Sequence, residues 1–193
     1  PQEVVRTLEV WDEQLVEAGA ELVAARIGLL DDLRPHLAAA YDLIAGGELA
    51  DSAADVGLTY QSSVGPHVEV TTDREVWRRQ LLEGIERRRK EELDRGVTLV
   101  GPQRDDLLFA LGTMPAKGFA SHGESWSIAL ALRLAGLDVL RSDGDDPVLI
   151  LDDVFEHGFV DDLLDLVVGA LFAVVVGVAA DQGVAECHEA QAL

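Results

Sequence analysis

The chain has 193 residues, of which 48% are hydrophobic and 26% charged, a composition that excludes a disordered polypeptide and fits one large or two small domains. With 36 acidic against 15 basic residues its formal charge is −21, a field that repels nucleic acid at long range, so any DNA contact needs a local basic patch or a partner subunit. The single cysteine, Cys187, excludes a disulfide framework and predicts a reducing, cytoplasmic setting.

The opening PQEVVRTLEV lacks a basic-then-apolar leader, so a non-secreted protein is expected, and proline at position 1 suggests a piece trimmed from something longer. Residues 1–34 read as one long helix. Leu8, Trp11, Leu15, Ala18, Leu22, Ala25 and Leu29 step 3-4-3-4-3-4, which predicts the seam of a coiled coil or packed arm. Pro35 is expected to interrupt it, with a further turn or two to Ile44. AGGELADSAADVG (45–57) reads as a loop and LTYQSSV (58–64) as a short strand.

A second helix is expected over about 73–95, with Trp77, Leu81 and Ile85 on its packed face. Arg74, Arg78, Arg79, Arg87, Arg88, Arg89, Lys90 and Arg95 fall between 74 and 95 among six acids, for a net of +2. That pattern fits a solvated face laced with i,i+4 pairs, and it also fits a DNA-facing arm. VTLVGPQRDDLLFALG (97–112) predicts two strands around a Gly-Pro turn. A Ser-x-Gly-Glu turn and its helix follow at 121–141, then the loop RSDGDD and the apolar strand PVLILDDVF. After Arg141 no basic residue remains, and LVVGALFAVVVGVAA (166–180), at fifteen residues, is short for a membrane span and reads as a buried helix–strand pair.

Two of these segments carry chemistry. Val148, Leu149, Ile150 and Leu151 run without polar alternation, as a parallel strand covered on both faces requires. Ligands in open α/β sheets sit beyond the carboxyl ends of such strands, where Asp152 and Asp153 lie. Mg²⁺ takes one or two carboxylates plus water and phosphate oxygens, so Asp152 could hold that shell and Asp153 could orient a water; an Asp-Asp pair is also a common helix start. In the turn, Ser121 offers a hydroxyl, Gly123 has no Cβ to block a ligand, and the helix points free N–H groups outward, where anions bind. The helix is apolar through Trp126, Ile128, Leu130, Leu132, Leu134 and Leu137, with Arg133 its only charge in that run, and is expected to be buried. SHGE also satisfies a capping box, with serine at the N-cap and Glu124 three residues on.

A Ser-x-Gly-Glu helix start 29 residues before a buried strand ending in Asp-Asp has the order and spacing of the signature helix and second nucleotide motif of ABC-type ATPases. More narrowly, GPQRDDL, PAKGFASHGESWSIALALRLA and GDDPVLILDDVF resemble the RecF family, bacterial recombination-repair ATPases of the ABC/SMC type, over residues 1–155. The resemblance implies an α/β fold: a helical arm region of lobe II over 1–95 and the signature helix and second nucleotide motif of the ATPase head, with part of the nucleotide-binding sheet, over 96–155. A divergent apolar tail occupies 156–193. It implies ATP and Mg²⁺ as cofactors, an ATP-dependent homodimer, attachment to single-strand/double-strand DNA gaps, and action with RecR and RecO in recombinase loading, DNA replication, repair and the SOS response. Ser121, Gly123 and Glu124 would then touch the γ-phosphate of ATP held by the opposite subunit. Asp152 would be the Mg²⁺-linked acid and Asp153 the catalytic carboxylate. Gln103 departs from the family's Gly-Pro-His-Arg, in which Arg104 keeps its place.

Two further departures matter. G-x-x-x-x-G-K-[ST] is absent, since Lys90 and Lys117 stand in RRKEE and PAKGF, so the sequence reads as the carboxy-terminal half of a RecF without its own ATP-binding loop. After Phe155, EHGFVDD replaces the family's Glu-Leu-Asp continuation, which suggests a shifted reading frame or a degraded end. The histidines at 36, 67, 122, 157 and 188 have no metal-ligand spacing, so no zinc site is assigned. A different class of function, a non-catalytic helical interaction module, is kept open by the seam of the first helix.

Overall fold

Helix α1 spans Gln2–Ala45 without a break. The computed structural model describes residues 2–45, 56–142, 144 and 147–149; Asp152, Asp153, the rest of the expected strand from Ile150, and the tail lie outside them. Two expectations for α1 are overturned. Pro35 lies inside the helix instead of interrupting it. Proline removes one backbone bond and costs about 3 kcal/mol in a helix interior. Leu30, Leu33 and Leu37, all fully buried, flank it on both sides, and their burial at roughly 2 kcal/mol each outweighs that cost. The exposed Arg34 side chain also pairs with Asp31 one turn back and donates from Nε to the Leu58 carbonyl at 3.1 Å.

The second correction concerns the seam. The face that packs runs through Val16, Ala20, Val23, Ile27, Leu30, Leu33 and Leu37. Trp11 is 64% exposed, Ala18 and Ala25 are exposed, and Leu8, Leu15, Leu22 and Leu29 are half-buried. Both stripes recur every three or four residues, about 100° or more apart around the helix, so periodicity alone did not choose between them. Burial followed the stripe richer in β-branched and fully aliphatic side chains.

Strand β1 covers Val56–Gln61, β2 Asp106–Leu111 and β3 Met114–Pro115, forming one sheet in the order β1-β2-β3. β2 and β3 run antiparallel, with Ala110 opposite Pro115 and Leu111 opposite Met114. Only one of the two strands expected over 97–112 forms. Residues 97–101 are irregular because their backbone is claimed elsewhere: the buried Glu92 carboxylate accepts from the N–H of Leu99 at 2.7 Å and Val100 at 3.3 Å. A short 3-10 turn, Pro102–Arg104, follows.

Helix α2, Arg74–Arg95, has clear local causes. Asp73 caps it by accepting from the N–H groups of Glu75 and Val76, and Gly96 ends it at φ 66°, a left-handed position that glycine takes without strain. Its packed face is Trp77, Leu81 and Ile85, as the sequence predicts. Helix α3 covers His122–Ser142.

The chain divides into two compact units, one of residues 1–28 and 60–107, the other of residues 29–59 and 108–193. In the first, α1 and α2 pack around Val23, Ile27, Trp77, Leu81 and Ile85, and the Trp77 ring meets Tyr60 edge-on at 6.1 Å. The second gathers Leu33, Leu37 and Tyr41 of α1, Leu58, Phe109, and Ile128, Leu132 and Ala135 of α3. Among the described residues no helix is long and apolar enough to cross a membrane.

Candidate functional site

In the second unit, α3 begins as the sequence predicts, at the Ser-x-Gly-Glu turn. The Ser121 N–H and hydroxyl both donate to Glu124 Oε2, each at 2.7 Å, and the Glu124 N–H returns a bond to Ser121 Oγ at 3.3 Å. This is the reciprocal capping box. The two bonds from Ser121 hold the Glu124 carboxyl below its ordinary range. That negative charge in turn adds to burial in raising the Tyr41 phenol, with burial the larger cause. The turn therefore stands at the surface with its acid ionised and fixed.

Two features exceed a cap. The N–H groups of His122 and Gly123 have no partner among the described residues, so the helix start keeps donors to offer. A Cβ built on Gly123 would meet nothing within 4 Å, so packing among the described residues gives no reason for glycine there. Alanine would suit a helix by about 1 kcal/mol more. Ser121, Gly123 and Glu124 are brought together at one exposed helix end. This end fits a phosphate group in its donor set: two backbone N–H groups without partners among the described residues.

α3 is not buried all round, as its apolar run suggested. Ser125, Ile128, Ala129, Ala131, Leu132 and Ala135 form the buried face, while Trp126, Leu130, Leu134 and Leu137 are half-buried. The acids Asp152 and Asp153, expected opposite this turn, lie outside the described residues, and Pro147–Leu149 have no regular structure. Among the described residues no group of three or more His, Cys, Asp or Glu could hold a metal ion.

Much of the basic charge of α2 is paired. Arg74 and Arg78 pair with Glu17, Arg89 with Asp12 and Glu92, and Arg95 with Glu91. Arg87 donates to the Val64 carbonyl at 2.8 Å. Arg79 and Lys90 share their exposed face with Glu83 and Glu86, and Arg88 is exposed as well.

Sequence reading missed a polar network beneath GPQRDD in the first unit. Arg26, buried in α1, donates to the Pro102 carbonyl at 2.7 Å. The Asp105 carboxylate accepts from the Tyr60 hydroxyl and from the Ser63 N–H at 2.6 Å. Ser63 Oγ donates to the Gly101 carbonyl at 3.1 Å and accepts from its N–H at 3.0 Å. Gly101 sits at φ 141°, a backbone conformation that residues with side chains rarely adopt, with the Gln103 amide folded over it. Burial first, then the Asp105 charge, pushes the Tyr60 phenol far above its ordinary value. The available signal was Arg26 itself, a charge interrupting the stripe that the structure buries.

No family model matches the chain. It is 50% identical over 185 residues to the DNA replication and repair protein RecF of Nocardioides sp. strain JS614, covering 91% of this chain and 43% of that protein. It is 50% identical over 149 residues to RecF of Streptomyces avermitilis, covering 77% of this chain and 38% of that protein. Among solved structures it is similar to the recombination mediator protein RecF-ATPrS in the RecFOR pathway, with a TM-score of 0.68, 25% identity, and coverage of 82% of this chain and 42% of the other. A second, RecF-ATP in the same pathway, matches with a TM-score of 0.67 and 28% identity over 77% of this chain and 38% of the other. The chain thus spans about two fifths of the length of the relatives it matches.

Proposed function

This chain is a RecF homologue over the part of RecF that it spans, of the ABC/SMC-type ATPase fold, and we propose that it supplies the signature half of a composite ATP site in DNA replication and repair. The observation that carries this reading is the start of α3. Two N–H groups without partners among the described residues and a glycine with open space beside it stand together on a helix capped by the exposed Ser121. Such an end holds an anion with donors already ordered.

In the proposed arrangement Ser121 and Gly123 receive the γ-phosphate of ATP held by an opposite subunit, and Glu124 keeps the turn in shape. ATP would supply the phosphoanhydride whose binding and release drive association and separation of the two heads. Asp152 is assigned to the Mg²⁺-linked acid and Asp153 to the catalytic carboxylate. Attachment to single-strand/double-strand DNA gaps and cooperation with RecR and RecO type proteins in recombinase loading complete the proposal, with the SOS response as its setting. G-x-x-x-x-G-K-[ST] is absent from these 193 residues, so this chain alone should hydrolyse no ATP.

The test mixes the chain with a RecF-type lobe carrying the phosphate loop and follows ATP-driven association by light scattering. Ser121→Asp keeps a good N-cap while placing a negative charge where the phosphate would sit. Association with ATP should fall at least tenfold with thermal stability retained. Unchanged association would overturn the assignment; ATP turnover by the isolated chain that Asp153→Asn abolishes would overturn the expectation that this chain alone is inactive.

A further inference from the structure

We infer that the loop Gly101–Asp105 in the first unit is a second, separately built binding site for a phosphate group, with Arg104 as its contact residue. It lies outside the α3 turn, and it rests on the nucleic-acid reading above only for the source of the phosphate.

Three observations support it. The first is the investment beneath the loop. Arg26 holds the Pro102 carbonyl from below, Ser63 exchanges two hydrogen bonds with Gly101, and Asp105 is gripped by Tyr60 and Ser63. Buried polar groups are costly unless satisfied, so a network of this kind beneath a five-residue surface loop fixes its shape. The second is what the loop presents. Gln103 and Arg104 are both exposed, on adjacent residues of a 3-10 turn.

The third is the state of the guanidinium. Arg104 Nε donates to the Thr98 carbonyl at 2.9 Å, which fixes the plane, while Nη1 and Nη2 have no partner among the described residues. The arginines of α2 at 74, 78, 89 and 95 each lie within 4.0 Å of a carboxylate. Around Arg104 the neighbouring acids are already engaged: Asp105 by Tyr60 and Ser63, and Asp106 by the N–H of Leu107 at 2.8 Å. A guanidinium held by one nitrogen, with its fork open, loses little entropy on meeting an oxyanion. The open fork itself offers paired N–H donors, which suits a tetrahedral anion with several acceptor oxygens.

The phosphate can belong to a nucleic-acid strand or to a nucleotide, and two arms separate them. The full 193-residue chain is titrated against a fluorescent gapped duplex by anisotropy across a salt series, and against ATP by calorimetry. If the strand is the source, Arg104→Ala should weaken duplex binding about tenfold and flatten the log–log salt slope by about one. Arg104→Lys, which keeps the charge without the fork, should recover only part of it. If a nucleotide is the source, the same variants should weaken ATP binding and leave the duplex untouched. Should neither probe respond to Arg104→Ala in a protein whose circular dichroism and melting are unchanged, or should wild-type chain bind neither probe, the site is refuted. The Ser121→Asp association assay stands apart from both outcomes, so the α3 proposal survives or falls separately.

Discussion

The two units hold their surface features by different means. In the first, the loop at 101–105 is shaped from beneath by side chains drawn from α1, β1 and the segment after it, across sequence separations of up to 76 residues. In the second, the turn at 121–124 is shaped almost wholly by itself, through bonds between residues three apart. A long-range network makes the conformation of a loop depend on the stability of the whole unit. A capping box leaves the turn dependent on one helix end. Substitutions in the first unit should therefore register globally, and those at the α3 turn locally.

The largest contrast is between two tryptophans of the first unit. Trp77 is fully buried, donates from its indole to the Thr71 carbonyl at 2.6 Å, and packs edge-on against Tyr60. Trp77→Ala should cost about 4 kcal/mol by urea denaturation. Trp11, on the stripe that sequence periodicity favoured, should cost less than about 0.5 kcal/mol when replaced by alanine. Equal losses at the two positions would show that the stripe through Leu8, Trp11 and Leu15 is packed after all.

The next effect falls on Asp105. Asp105→Ala leaves the Tyr60 hydroxyl and the Ser63 N–H without their acceptor in a half-buried setting, and should destabilise the unit by roughly 2 kcal/mol. A pH signature accompanies it. Tyr60 has its folded-state phenol raised above the ordinary value of 10.0, so its contribution is fully present below pH 10.0 and is lost as pH rises beyond that. Tyr41 shifts in the same direction. Both tyrosines of the chain should therefore give phenolate absorbance only well above pH 10.0, together with unfolding. Early ionisation of either at constant circular dichroism would break the account of the corresponding unit.

Legibility followed the range of the interactions. The α2 cap at Asp73, its stop at Gly96, its packed face and the capping box at Ser121 are all written within a few residues, and the sequence shows them. The motifs GPQRDDL, SHGE and LDDVF, which carry the resemblance to RecF, are likewise local. What could not be read is decided by distant partners. Pro35 stays in α1 because Leu33 and Leu37 are buried by other elements. Residues 97–100 lose their strand because Glu92 takes the amides of Leu99 and Val100. The choice between two apolar stripes on α1 depends on which one the rest of the unit covers. Gln103 and Arg104 were recognisable as part of a motif, but the network that holds them joins residues far apart in the chain.

The smallest effect tests the local end of the contrast. Ser121→Ala removes the hydroxyl that caps α3 and should cost about 1 kcal/mol. Glu124 has its folded-state carboxyl lowered from 4.5 by the two Ser121 bonds, so its contribution is present above that value and is lost as pH falls through the lowered one. Acidification should consequently fray the first turn of α3 in the wild-type chain, as amide exchange at Ser125 and Trp126 would report, with no matching change at Gly101 and Arg104, whose N–H groups bond to the Ser63 hydroxyl and the Gly101 carbonyl. In Ser121→Ala the same amides should exchange faster already at neutral pH and show little further response to acid. A response spread evenly over both sets of amides would mean that the turn is coupled to distant structure, and the distinction between a locally closed cap and a loop supported from beneath would no longer hold.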